Sequence, residues 1–213
     1  MPLYIFEADG SSASAKFKIQ SFSNDMPFNE KGTTVSAVTF DWSYVNGVPT
    51  SQSISPAVGV VPAANRMVTL GGQSIQSDTT FTLTATDGTT TRKATTHVRF
   101  VYPIYYGAVS SASPSEGEIT ALTKRVSDYE DFTVSLNLAD EYSCFVSPMT
   151  NPITDIKADL GGVFLGLSVW DTYTVINNFP VTMADGVTVL CRVLVKSVPE
   201  HTSGQSVPLD IKF

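Results

Sequence analysis

The sequence predicts an all-β protein made of two tandem β-sandwich domains, the second carrying one short α-helix. Three observations lead there. Apolar and polar residues alternate with a period of two, as in Val38, Phe40, Trp42 and Tyr44 against Thr39, Asp41 and Ser43. Turn signals such as Asn46-Gly47, Gly71-Gly72 and Asp87-Gly88 separate the alternating runs. Thr and Ser are abundant while Lys and Glu are scarce, a balance that suits strands better than helices.

Residues 1–14 read as an N-terminal anchor or linker. The apolar patch Leu3, Tyr4, Ile5 and Phe6 precedes the polar run Asp9–Ser14. Such an end either frays or adds a strand to another subunit or a larger assembly. The first domain is expected over residues 15–103. It opens with the alternation of Phe17 and Ile19 against Lys18 and Gln20, then a loop at 24–32 with Pro27 and Gly32. Val35–Tyr44 is its clearest core strand, with Trp42 inward. Ser51–Val61 supplies one or two strands, and Pro56 forces an edge or a bend there. Arg66–Leu70 is another strand. Ser77–Val101 is a hairpin in which Phe81, Leu83 and Ala85 face inward and Asp87-Gly88 makes the tight turn.

The second domain is expected over residues 104–213, fused stiffly to the first through Val101–Gly107. Ser115 stands three residues before Glu118, which is a capping-box pattern. Ile119, Leu122 and Val126 follow at near-helical spacing, with acid at the start and Lys124 and Arg125 at the end. A helix is therefore predicted over 116–126. Strands resume at Asp131–Leu136, Tyr142–Val146, Ile153–Leu160, Phe164–Thr174 and Val187–Lys196. A last one, Val207–Phe213, is predicted to be tied into a sheet.

The 213 residues carry 42% hydrophobic and 15% charged residues, as a globular chain does. Residues 1–103 hold seven acids and seven Lys or Arg, so the whole net charge of −7 falls in 104–213, with thirteen acids and six bases. Neither half has the basic density that phosphate backbones require, so no nucleic-acid partner is expected. The longest apolar stretch, Val163–Trp170, is far short of the roughly 20 residues that span a bilayer, and no membrane insertion is expected. The N-terminus lacks the basic region of a secretory signal.

Few residues suggest chemistry. His97 and His201 have no partner at ligand spacing, and no nucleophile elbow or phosphate loop is present. Asp128, Glu130 and Asp131, and further on Asp140 and Glu141, flank one strand. They are read as solvated turns, with a carboxylate pair for glycan cleavage or a cation loop as the sharper alternatives. No catalytic residue, metal or cofactor is assigned. Cys144 and Cys191 are read as buried thiols, and a disulfide between them stays open. Two aromatic groups are the better clue to binding: Tyr102, Tyr105 and Tyr106 at the interdomain joint, and Trp170, Tyr173 and Phe179. They either pack inside or supply contact surface to a second copy or a ligand.

Three segments carry a resemblance: TFDWSYVNGVPTSQ at 39–52, SDTTFTLTATDG at 77–88, and VRFVYPIYYGAVSS with EITALTKRVS at 98–111 and 118–127. Together they resemble a tandem found in structural proteins of tailed bacteriophages, where an Ig-like module with a Trp strand precedes a C-terminal β-rich domain. The resemblance implies an Ig-like first sandwich and a non-enzymatic virion protein made in the bacterial cytoplasm. Its role would be assembly or host attachment, as a tail-fibre or tail-tip component or as a capsid head fibre or decoration protein. It implies other virion proteins and copies of itself as partners, in a homotrimer, with a host-surface glycan or protein as receptor. The family transfers no active site. From other classes, a glycan-binding bacterial surface module and a polysaccharide-cleaving fibre tip compete with it.

Overall fold

The computed structural model describes residues 17–136, 139–158, 167–201 and 207–213. Among the described residues the chain is all-β apart from one short helix and one 3₁₀ turn. It divides into two units, the first comprising residues up to Pro27 and Val35–Val98, the second Phe28–Thr34 and Arg99–Phe213. The change falls at Val98/Arg99, inside a strand, where the sequence placed it near residue 103. The seven-residue stretch Phe28–Thr34, read from sequence as a loop of the first domain, belongs to the second unit.

In chain order the strands of the N-terminal half are β1 (Lys18–Asn24), β2 (Phe28–Glu30), β3 (Val38–Val45), β4 (Ser51–Ser55), β5 (Gly59–Val61), β6 (Met67–Leu70), β7 (Thr79–Thr86) and β8 (Thr91–Val101). Two sheets result, one in the order β1-β3-β6 and the other β2-β8-β7-β4-β5. Within the first unit they bury residues that the alternation marked, Val38, Phe40 and Trp42 from β3 and Phe81, Leu83 and Ala85 from β7, together with Ile54 from β4. Phe40 and Phe81 meet across the sandwich with ring centroids 4.7 Å apart. Fully burying a side chain of this size contributes about 1.5–3 kcal/mol. The hairpin register runs from Thr79 opposite Val98 to Thr86 opposite Thr91, and Asp87 Oδ1 accepts the amides of Thr89 and Thr90 to close the turn. β2 lies parallel to the last three residues of β8, with Phe28 opposite Arg99.

The second unit continues with β9 (Ile104–Val109), α1 (Glu116–Thr120), β10 (Thr123–Arg125), β11 (Phe132–Leu136), β12 (Ala139–Pro148), β13 (Asp155–Ala158) and β14 (Leu167–Ser168). The 3₁₀ turn Trp170–Thr172 follows, then β15 (Tyr173–Thr182), β16 (Thr188–Lys196), β17 (Glu200–His201) and β18 (Val207–Lys212). One sheet has the order β10-β9-β12-β16-β15, with β17 beside β12, and the other β11-β18-β13-β14. Ile104, Phe145 and Leu194 of the first sheet pack on Phe132, Ile156, Leu209 and Ile211 of the second. The opposite face of the first sheet buries a second cluster, in which Ile119 of α1 joins Tyr105, Cys144, Val146, Val193 and Val195. β16 has neighbours on both sides, as its alternation suggested, and β18 lies between β11 and β13.

The helix is shorter than predicted. Its start is as read: Ser115 Oγ accepts from Glu118 N at 3.3 Å, and Glu118 Oε2 accepts from Ser115 N at 2.9 Å. It stops at Thr120 because Thr123–Arg125 pairs with the free edge of β9 instead. Backbone groups on that edge gain partners, and a strand sends neighbouring side chains to opposite faces. Lys124 reaches Glu30 at 2.9 Å, while Arg125 stacks 4.6 Å from the Phe132 ring centre.

A bulge sets the facing of β15. Ile176 pairs with Val193 and Phe179 with Cys191, so Asn177 and Asn178 together oppose Arg192. Asn178 takes a positive φ of 59°. The extra residue moves Phe179 and Val181 onto the face of Ile176. Arg192 fixes the bulge by donating to Asn177 Oδ1 at 2.9 Å and to the Ile153 carbonyl at 3.0 Å.

Candidate functional site

The described residues of the second unit bring together a cluster around the three tyrosines of the junction. Tyr105, on β9, is buried, and its hydroxyl donates to Met183 Sδ at 3.5 Å. Burial pushes that hydroxyl up to about 12, with the Glu30 carboxylate adding to the shift. Tyr106 points to the other face and packs on Phe132 at 5.9 Å. Tyr102 lies between strands. Its ring carries the Lys31 ammonium at 4.5 Å, its hydroxyl donates to Asp185 Oδ2 at 3.3 Å, and its carbonyl accepts from the Tyr129 hydroxyl at 3.0 Å.

The same cluster holds the segment 28–34. Glu30 is paired with Lys124, Lys31 covers Tyr102, and the Lys31 amide donates to the Val101 carbonyl at 3.0 Å. Gly32, at φ +90°, approaches Asp185 so closely that a Cβ there would lie 2.5 Å from the Asp185 backbone nitrogen. Only glycine fits such an approach in that conformation. The arrangement is one of packing and ion pairing. It sets no base against a nucleophile.

The second aromatic group is also built inward. Tyr173 is buried, and its hydroxyl shares a 2.8 Å hydrogen bond with Ser143, itself buried. Trp170 is half-buried against the core between the two sheets, and Phe179 against the opposite face of the larger sheet. Of the two alternatives read for these aromatics, Tyr105 and Tyr173 pack inside. Leu3, Tyr4, Ile5 and Phe6 lie outside the described residues.

The acidic stretch after β10 splits into two roles. Asp131 accepts from the Phe213 amide at 3.0 Å and pairs with Lys212 at 3.1 Å, which lowers its pKa and ties this loop to β18. Glu130 is held above its ordinary range by Asp128, through a hydrogen bond and like charge. Among the described residues, no three His, Cys, Asp or Glu side chains gather closely enough to hold a metal ion. Asp140 and His201 fall among residues whose side chains are not described, Glu141 is exposed, and His97 Nδ1 lies 3.0 Å from the Thr80 hydroxyl.

Both cysteines are buried and free, and burial pushes each thiol up to about 12. Cys144 stands opposite Val195 while Cys191 stands opposite Pro148, four rungs along the same strand pair. At about 3.4 Å per residue that is roughly 14 Å, twice the Cα separation a disulfide spans. Cys144 and Cys191 do not cross-link within this fold.

Gln52 was not visible as a key residue from the sequence. It is a buried polar side chain of the first unit with a partner for every group. Its Oε1 accepts from Trp42 Nε1 at 3.0 Å and from the Tyr44 hydroxyl at 2.6 Å, while its Nε2 donates to the carbonyls of Pro62 at 2.6 Å and Asn65 at 3.0 Å. It binds the Trp strand of one sheet to β4 of the other. No helix among the described residues is long and apolar enough to cross a membrane. No family model, curated protein or solved structure matches this chain.

Proposed function

We propose that the chain is a non-enzymatic structural protein of a tailed-bacteriophage particle, acting in assembly or host attachment as a fibre or tail-tip component. A head fibre or decoration protein is the same role at another place on the particle. The observation that carries the reading is the run from hairpin to junction. Strands β7, β8 and β9 follow one another with only the four-residue turn 87–90 and the Tyr102-Pro103 step between successive strands. All three lie on the stretch whose motifs resemble the phage tandem. The sandwich-like build supports it further, because aromatic and ion-paired side chains are used for packing. In this reading Leu3–Phe6 docks the chain to the particle, and copies of the chain assemble as a homotrimer.

Fractionation of particles from an infected culture tests the reading. The chain is expected to co-sediment with purified particles, and a variant lacking residues 1–14 to remain in the soluble fraction. A full-length chain that stays wholly soluble sinks the virion assignment, while incorporation of the truncated chain removes only the anchor.

A further inference from the structure

The first unit leaves a strand edge open. Residues 91–98 of β8 pair with β7, and β2 covers the other side of β8 only at Arg99–Val101. The His97 carbonyl points away from β7, where it accepts from Asn24 Nδ2 at 3.0 Å. Alternate residues of a strand turn their amides and carbonyls the same way, so those of Thr91, Lys93 and Thr95 face this side too. Among the described residues, the backbone groups of these three have no partner there. An edge of this kind either accepts a further strand or needs a cover.

Three observations point to the occupant. The chain enters the fold beside this edge. Phe17 is the first described residue, and its carbonyl accepts from Arg92 Nε at 3.1 Å. Residues 7–16 separate Phe17 from the apolar run Leu3–Phe6. Extended, they reach up to about 33 Å, while an added strand lies only about 4.8 Å from its neighbour. There is also room, because a groove of about 390 Å³ opens between residues 17–19 and 92–93. Charge agrees as well. Lys18, Arg92 and Lys93 stand at this edge, on different faces, and enter no ion pair among the described residues. The N-terminal sequence carries Glu7 and Asp9 directly after its apolar run and no cation before Lys16.

We propose that Leu3–Phe6 adds a strand to the open edge of β8 in its own chain. Its backbone pairs with Thr91, Lys93 and Thr95, and Glu7 and Asp9 come beside the cations. The added strand covers an edge that otherwise invites pairing with another chain. This inference concerns the isolated chain and does not rest on the virion reading, in which a particle takes up the same segment.

Amide hydrogen exchange, read residue by residue by NMR, tests it in the full chain and in a chain lacking residues 1–14. The amides of Thr91, Lys93 and Thr95 are expected to be protected in the full chain and to exchange about tenfold faster or more after truncation. Those of Arg92 and Ala94 face β7 and are expected to stay slow in both chains, which reports an intact sandwich. Glu7→Lys combined with Asp9→Lys is expected to speed the same three amides in the full-length chain. That charge-reversed variant decides alone should the truncated chain fail to fold. The proposal is overturned if the three amides exchange as fast in the full chain as in the truncated one, or if charge reversal leaves their exchange unchanged. Protection that grows with protein concentration also overturns it, because the occupant is then a second copy.

Discussion

At Gln52 one amide joins four groups of the first sandwich, and for the buried Trp42 indole it is the partner that burial demands. A buried donor or acceptor left without a partner costs about 1–3 kcal/mol. Gln52→Ala strands the Trp42 indole N–H, while the Pro62 and Asn65 carbonyls keep the Asn65 amide and Arg66 as donors, so it is expected to destabilise the first unit by about 2 kcal/mol in urea unfolding. A loss below about 0.5 kcal/mol, the range of an ordinary surface change, would contradict this role. Gly32 makes the complementary point in the second unit. Its Cβ position is filled by Asp185 backbone and its φ is +90°. Gly32→Ala is expected to cost about 2 kcal/mol, because backbone strain and overpacking add. The alternation around Trp42 was legible in the sequence, since a period of two is local. Gln52 shares that alternation with Ile54, yet nothing local says that an amide on the core face will find four partners. Those partners come from two other segments, β3 and the turn between β5 and β6.

At the scale of elements, the helix α1 shows both what was legible and what was not. Its beginning is written in Ser115 and Glu118, three residues apart. Its end is decided by β9, whose free edge recruits Thr123–Arg125 away from the helical pattern, and no spacing in the sequence reports a distant edge. Glu118 is the hub of this element. It accepts from the Ser110 hydroxyl at 2.6 Å and from the Ser115 amide and hydroxyl, each at 2.9 Å, which holds its carboxyl down to about 2. The ordinary carboxyl value is 4.5. A folded pKa below the unfolded one stabilises the fold above about 4.5, and the contribution is lost as pH falls through about 2. Thermal unfolding followed from pH 6 to pH 2, on the order of that window, is expected to show a shallower decline for Glu118→Gln than for the native chain. Identical slopes would mean that the capping box does not carry this linkage.

At the scale of the whole molecule, the second unit is discontinuous in sequence. Phe28–Thr34 enters it seventy residues before Arg99 resumes it, through a three-residue parallel pairing, an ion pair and a glycine contact. Parallel pairing of so short a strand has no local signature, which is why the stretch read as a loop. Residues 99–213 produced alone are expected to lose cooperative unfolding, and a version with 28–34 fused back through a flexible linker to regain it. Cooperative unfolding of 99–213 unaided would show the segment to be an accessory. The pairing arises from closing a long loop, a cost that only the assembled sheets offset.

The central proposal is that this chain works through its surfaces as a built-in part of a phage particle. Electron cryo-microscopy of intact phage particles, from cells that express this chain during infection, tests it most directly. The account predicts density into which the two units fit, repeated at symmetry-related positions on the tail or head. Well-resolved particles in which every density belongs to other proteins, despite expression of this chain during infection, would contradict it.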